Sequence, residues 1–373
     1  MSDNDNVSTK KQDINDDNQH VPELRFPGFT DEWNENRLDN IFKIKAAGDL
    51  NKNKFSKSKD KNHKYPVFAN ALENKGLLGY YTEFKYPSGS ITITARGNIG
   101  IPIKRNIEFN AVGRLLILIP KENLNISFFT SCLNNIHFYI ESTGVPQLTA
   151  PSLKIYKIKY PSIKEQKKIG DFISLIDRKI DLLEKKKVVF KKFKHYNEFK
   201  LFNSIKSEPF KKVSEIFNTI SQKKFEIKKN EILNKGKYIV IDQGANKIAG
   251  YSNQKDKIFE NVPIICFGDH TTNIKYITKK FIIGGDGLKI LKPKGKYNLK
   301  FLYYSLKFNN VHQEGYKRHY SILKEVDINI PSLKKQKEIS EILTIFDKKI
   351  ELINDELNIM KQFKKGLLQK MFV

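Results

Sequence analysis

Cysteine is almost absent. Only Cys132 and Cys266 occur in 373 residues, each inside an apolar stretch and neither in a Cys-x-x-Cys or Cys/His neighbourhood. That count excludes a disulfide framework and a cysteine-based zinc site, and it predicts two buried, reduced thiols in a cytosolic protein. Long apolar runs are missing too. The longest, Leu115 to Ile119, falls far short of the roughly 18 residues a membrane helix requires, so integral insertion is excluded. Tryptophan appears once and methionine three times, yet hydrophobic residues make up 39% and aromatics 12%, enough to build packed interiors. Acidic residues are in short supply: 41 Asp and Glu stand against 67 Lys and Arg, a formal charge of +26. Such a surplus points to a polyanionic partner, nucleic acid first and an anionic membrane surface second. Residues 1–20 lack the basic start and apolar stretch of a secretory signal, carry five Asp against two Lys, and read as a disordered acidic tail.

An internal repeat organises the rest. Residues 161–183, PSIKEQKKIGDFISLIDRKIDLL, align without a gap on residues 331–353, PSLKKQKEISEILTIFDKKIELI, at an offset of 170 and with ten of twenty-three positions identical. Two unrelated Lys-rich helices would not share Pro, Gln and Asp in register. Each copy opens with a Pro-Ser helix start, and apolar residues then recur at alternating steps of three and four. Ile173, Ile176, Ile180 and Leu183 lie on the first stripe, and Leu343, Phe346, Ile350 and Ile353 on the second. The seam lasts for about 40 residues in each copy, a rod of about 60 Å at 1.5 Å per residue. A stripe that narrow on so long a helix is buried by another helix, so the two copies are expected to pair along it, antiparallel.

Upstream of each helix the text changes to β-branched and aromatic runs separated by Gly, Asn and Pro. Fainter echoes of the repeat persist there: Ile41-Phe42 answers Ile216-Phe217, Gly79-Tyr80 answers Gly250-Tyr251, and Gly97, Gly144 answer Gly268, Gly315. The segments are therefore a first module at 21–160, a central helix at 161–206, a second module at 207–330 and a distal helix at 331–373. The modules share a plan while differing in most surface chemistry, which suggests two related but non-identical ligands.

Several stretches together carry a resemblance. VPELRFPGFTDEW near the start, the two PS(I/L)K openings with their helices, GVPQLTAPSLKIYKIKYPS, IICFGDHTTNIKYITKKFIIGGDG and the closing GLLQKMFV resemble the DNA specificity subunit of type I restriction-modification enzymes over about residues 21–373. The resemblance implies an α+β chain with two mixed α/β target recognition domains, separated by two long helices that pair as an antiparallel coiled coil, in a pseudo-twofold repeat. It implies double-stranded DNA as ligand, each domain reading half of a split asymmetric target. Partners would be two methyltransferase subunits docked on the helices and restriction/translocase subunits, with S-adenosylmethionine, ATP and magnesium used on those other subunits and none in this chain. GYKRHYSILKEVDINIPS departs from the pattern by lacking the Pro-Gln-Leu element, which weakens transfer of contacts into residues 315–321.

Candidate DNA contacts follow from side-chain chemistry. Lysines crowd two loops, Lys52, Lys54, Lys57, Lys59, Lys61 and Lys64 in one, Lys223, Lys224, Lys228 and Lys229 in the other. Both loops follow the Ile-Phe element of their module, and flexible point charges suit phosphate contact. Base reading is expected where Gly permits close approach beside hydrogen-bonding forks: Arg96 and Asn98, with Lys104 and Arg105 beyond, and Gln147 and Thr149, in the first module. In the second, the candidates are Asp269, His270, Thr271, Thr272 and, near Tyr316, Lys317, Arg318 and His319. Solvated loops and plain turns are the competing readings. No catalytic constellation accompanies them: Asp269-His270 has no partner at metal-ligand spacing, Glu-x-Lys triplets follow from a 29% charged composition, and GGDG at 284–287 lacks a cofactor-loop context. A nuclease or methyltransferase with an unrecognised site, and a basic coiled-coil adaptor for another anionic surface, remain the alternatives to a non-catalytic DNA reader.

Overall fold

Alternation fails in the strongest strands because both of their faces are covered. Ser90–Ile93 and Ile264–Gly268 are buried at every residue, as expected for central strands roofed on one side and packed on the other. The computed structural model describes residues 21–138, 146–315 and 317–373; the acidic tail, Gly144 and Tyr316 lie outside them. The chain divides into two compact units, residues 1–183 with 356–373, and residues 184–355.

In the first unit a strand β1 (Asn34–Arg37) leads through one helical turn, α1 (Leu38–Ile41), into β2 (Phe42–Ala46). The strands β3 (Phe55–Ser56), β4 (Tyr65–Phe68), β5 (Leu77–Tyr81), β6 (Ser90–Ile93), β7 (Pro102–Arg105), β8 (Asn110–Ala111) and β9 (Leu116–Pro120) follow. Helix α2 (Ile126–Asn134), helix α3 (Ala150–Lys154), strand β10 (Lys157–Tyr160) and the 41-residue helix α4 (Ile163–Asn203) complete the run, α4 belonging to this unit as far as Leu183. One sheet has the order β2-β9-β6-β7, all antiparallel, and the other β3-β5-β4-β8, with β4 and β8 parallel. Phe68, Tyr86, Phe109, Leu115 and Ile117 form a core. Strand β1 pairs antiparallel with β10, the strand that leads into α4.

The second unit repeats this order: β11 (Phe210–Lys212), α5 (Val213–Ile216), β12 (Phe217–Ile220), β13 (Glu226–Ile227), β14 (Tyr238–Ile241), β15 (Gly250–Ser252), β16 (Ile264–Gly268), β17 (Ile274–Ile277), β18 (Phe281–Gly284), β19 (Leu288–Pro293), α6 (Leu299–Phe308), α7 (Tyr320–Leu323), β20 (Asp327–Asn329) and the 39-residue α8 (Leu333–Met371). The sheet β12-β19-β16-β17 reproduces its counterpart strand for strand. The companion sheet does not. Its order is β13-β18-β14-β15, so the short strand β13 adds to β18, whereas its counterpart β3 adds to β5 at the opposite edge.

The duplicated Pro-Ser-x-x-x-Gln opening has a structural task. Gln166 accepts from Asn125 N at 3.1 Å and donates to Pro161 O at 2.9 Å; Gln336 accepts from Asn298 N at 2.9 Å and donates to Pro331 O at 2.8 Å. Asn125 and Asn298 in turn cap α2 and α6 through Phe128 N and Phe301 N, both at 2.9 Å. One buried amide thus fastens each long helix to its module.

Within each unit α4 and α8 run antiparallel. In the first, Asp177 meets Lys364 at 2.5 Å and Lys179 meets Glu356 at 2.7 Å; in the second, Lys194 meets Asp347 at 2.6 Å while Phe202 shares a core with Ile339 and Leu343. The 170-residue offset turns Asp177 into Asp347 and Lys194 into Lys364, so one interhelical ion pair is built twice. Ile173, Ile176, Ile180, Leu183, Leu343 and Ile353 are buried, and Phe346 and Ile350 half-buried, Phe346 lying edge-on to Phe193 at 5.5 Å.

Candidate nucleic-acid interface

In the first module the central strand β6 ends in a turn, Thr94 to Gly100, whose backbone is held by side chains. Thr94 Oγ1 accepts from Ile101 N at 3.0 Å and donates to Asn98 O. Gly97 and Gly100 both adopt the left-handed region, at φ 68° and 82°, and a Cβ at Gly100 would lie 2.7 Å from the Phe138 ring. Asn70, two residues beyond β4, clamps the turn from below: its Oδ1 accepts from Ala95 N at 2.6 Å and its Nδ2 donates to Arg96 O at 2.7 Å. Leu148 N then donates to Ala95 O at 2.9 Å, bringing in the loop before α3. Those bonds join two predicted residues from distant segments, Arg96 Nε donating to Gln147 Oε1 at 2.8 Å. Asn98 stays exposed at the tip.

The second module reproduces the frame with other side chains. Gln243, also two residues beyond its strand, accepts at Oε1 from His270 N at 3.0 Å, and its carbonyl accepts from Thr271 Oγ1 and from Asn273 Nδ2 at 3.0 Å. His319 N donates to Asp269 O at 2.8 Å, the counterpart of the Leu148 bond. The frame aligns Arg96 with His270 and Gln147 with Arg318. His270 Nδ1 lies 3.2 Å from Lys317 O, and because a carbonyl only accepts, Nδ1 carries the proton.

Several predicted base readers turn inward instead. Arg105 is 4% exposed, with its guanidinium 3.6 Å from the Phe68 ring centre; it donates to Thr92 Oγ1 and Lys75 O. Burial pushes its pKa down to about 10, still well above neutrality. Lys104 Nζ is tied to Ser127 Oγ and Ser174 Oγ at 3.0 and 3.1 Å, and so braces α2 and α4. Buried Asp269 accepts from Tyr320 N at 2.8 Å, and fully buried His319 accepts from Glu314 N at 2.9 Å through Nε2. Thr272 is buried in the left-handed region at φ 55°, and the nearby Lys275 is buried against Asp242 O and Asn246 O, whereas Thr149 stays exposed while its side chain caps α3 by accepting from Ser152 N. The buried members of this set spend their polar atoms on the turns and on packing.

Lys317 is exposed and paired with Glu314, and Arg318 is exposed. All ten loop lysines are exposed, Lys54 pairing with Glu83. Their placement differs from expectation: the first set flanks β3 and the second flanks β13, strands on opposite edges of equivalent sheets. Asn70 and Gln243 escape a motif search, although one signal exists, an amide two residues after the hydrophobic strand in both YPVFAN and YIVIDQ. Burial pushes the thiols of Cys132 and Cys266 up to about 12, so neither is a thiolate at neutral pH. Among the described residues no three His, Cys, Asp or Glu side chains cluster as metal ligands, and no helix is long and apolar enough to cross a membrane.

Comparison with known proteins places this architecture. The family model described as the type I restriction modification DNA specificity domain matches twice, at residues 30–191 and 206–362, and the chain belongs to that family. A putative type I specificity subunit from Mycoplasma pneumoniae is 34% identical over 134 residues, 36% of this chain and 37% of that protein. The chain thus spans little more than a third of that relative, whereas a second one from the same organism is 23% identical over 91% of this chain and 96% of its own length. The crystal structure of the type I restriction-modification S subunit from M. genitalium has the same fold, with a TM-score of 0.69 at 19% identity, covering 95% of this chain and 99% of that one.

Proposed function

We propose that the chain is the non-catalytic specificity subunit of a type I restriction-modification complex, each module reading one half of a split, asymmetric DNA sequence. The observation that carries this reading is the frame built twice, Asn70 with Leu148 and Gln243 with His319, that presents different side chains at equivalent places. A common frame with exchanged side chains suits two different half-sites. The charge of +26 supplies the sequence-independent attraction to phosphate that such reading requires.

Methyl transfer and cleavage then belong to partner subunits that carry S-adenosylmethionine, ATP and magnesium. The long helices offer those partners apolar surface: Leu182, Ile359 and Phe363 in the first unit, and Val189, Tyr196, Phe199, Ile345 and Leu352 in the second, are at least half exposed. Working on chromosomal DNA places the assembly in the cytoplasm. The test is to delete the gene and compare methylated positions genome-wide. Loss of one bipartite motif is expected; methylation of DNA by the isolated chain with S-adenosylmethionine would refute the proposal.

A further inference from the structure

The same three-part arrangement stands at the end of the central strand in both modules. An amide side chain two residues past a neighbouring strand, Asn70 or Gln243, holds the turn backbone, at Ala95 and Arg96 in one case and His270 in the other. A backbone bond from Leu148 or His319 to the turn carbonyl locks the loop that precedes α3 or α7. Leu148 and His319 are fully buried, so the residues beside them, Gln147 and Arg318, are carried at a set height next to Arg96 and His270. Backbone is fixed and side-chain identity is free. We propose that Arg96 with Gln147, and His270 with Arg318, are the specificity-determining pairs of the two modules, and that Asn70 and Gln243 are the positioning residues that hold them for reading.

The first pair specifies its base class by its donors. Gln147 Oε1 occupies Arg96 Nε, which sets the plane of the guanidinium. No hydrogen bond among the described residues engages the two terminal nitrogens of Arg96 or the amide nitrogen of Gln147. What is left over is mainly donors, the terminal nitrogens of Arg96 and the amide nitrogen of Gln147, beside one remaining lone pair on Gln147 Oε1. In the major groove guanine presents two adjacent acceptors, N7 and O6, whereas adenine sets an amino donor beside its N7 and cytosine presents an amino donor. Thymine presents a single acceptor, O4, so the two terminal nitrogens of Arg96 are matched best by the adjacent acceptors of guanine. Arg318 is exposed beside a histidine whose Nδ1 proton is directed to Lys317 O, so its guanidinium is not oriented by a glutamine as that of Arg96 is.

This inference rests on the reading of the chain as a DNA specificity subunit, and its test keeps the two separable. The full chain carrying Arg96→Ala, Arg318→Ala or Asn70→Ala replaces the natural one in cells that hold its methyltransferase partner, and the methylated motif is sequenced. With Arg96→Ala, one guanine of one half-site should become degenerate, its discrimination falling roughly ten- to a hundredfold, while the other half-site and the gap stay unchanged. Arg318→Ala should make one base of the opposite half-site degenerate and leave the first half-site unchanged. Asn70→Ala should blur the base that Arg96→Ala blurs, whereas a merely structural residue would lower methylation of the whole motif without changing its letters. Arg96→Lys, which keeps the charge and loses the fork, guards against a folding failure and should blur the same base. An unchanged motif in the Arg96 variants, or one altered in both halves, would overturn the assignment. A natural chain that directs no motif-specific methylation would instead overturn the functional reading beneath it.

Discussion

Arg105 pairs opposite Ser90 at one end of β7, and its guanidinium reaches through the sheet to lie on the Phe68 ring of the companion sheet. A cation held against an aromatic face and donating to Thr92 Oγ1 and Lys75 O joins the two sheets of its module. Arg105→Ala should therefore destabilise the first unit by about 2 to 4 kcal/mol, in thermal or urea unfolding, through lost charged hydrogen bonds and lost packing together. The methylation motif of the surviving complex should stay the same. Arg96 and Arg105 look alike in the sequence, both beside strands rich in apolar residues. Their chemistry is legible there and their direction is not, because direction is decided by what lies across the sheet. Gln147 was legible for the same reason as Arg96, as a fork near a predicted turn. Asn70 was not, since its task is to hold a backbone that lies 25 residues away along the chain.

At the scale of elements, the long helices could be read because the information is local: a heptad stripe implies its own partner, and the repeat supplies it. Lys194 illustrates the energetics of the pairing. Its ammonium, 13% exposed, contacts Asp347 at 2.6 Å and Glu198 at 3.3 Å, and Asp347 also accepts from Tyr304 Oη at 2.7 Å. Burial opposes the charge, but the hydrogen bond and attraction of Asp347, together with Glu198, outweigh it and hold the lysine above its ordinary value. A cation whose folded pKa is raised adds stability that is fully present below its unfolded pKa and is lost as pH rises through the folded one. Thermal melts of the natural chain and of Lys194→Met, compared from neutral to strongly alkaline pH, should converge at the alkaline end. A constant difference across that range would deny the pair its electrostatic part.

The two-residue strands β3 and β13 mark where such legibility stops. Nothing in so short a segment states which edge it will join, since the choice depends on strands tens of residues away. The lysines carried beside them consequently flank different edges in the two modules. Neutralising Lys52, Lys57, Lys59 and Lys61 should weaken binding to all duplexes and flatten the dependence of log Kd on log salt, each lost phosphate contact lowering the slope by about 0.9. The same change at Lys223, Lys224, Lys228 and Lys229 should give a different slope, because equivalent faces of the modules set the two clusters on opposite sides. Slopes flattened equally in the two variants would mean that both edges contact phosphate alike, and slopes left at the natural value would mean that neither does.

At the scale of the whole chain, the two crossings between units fall inside helices, at Leu183–Glu184 in α4 and at Asp355–Glu356 in α8. No loop intervenes at either crossing. A helix lengthens by 1.5 Å per residue, so four residues inserted at both crossings add about 6 Å to each, the rise of one or two base pairs. Both insertions are needed, because a single one would slip the seam and separate the ion pairs that the repeat builds twice. The half-site readers lie wholly within their modules, Arg96 with Gln147 in one and His270 with Arg318 in the other, and neither set touches an inserted residue. If helix length defines the unread stretch of duplex, sequencing the methylated sites of the double-insertion variant should give the original half-site bases with a gap longer by about one or two base pairs. New half-site bases at the old gap would place the spacing in the modules and remove the helices from the measurement of DNA.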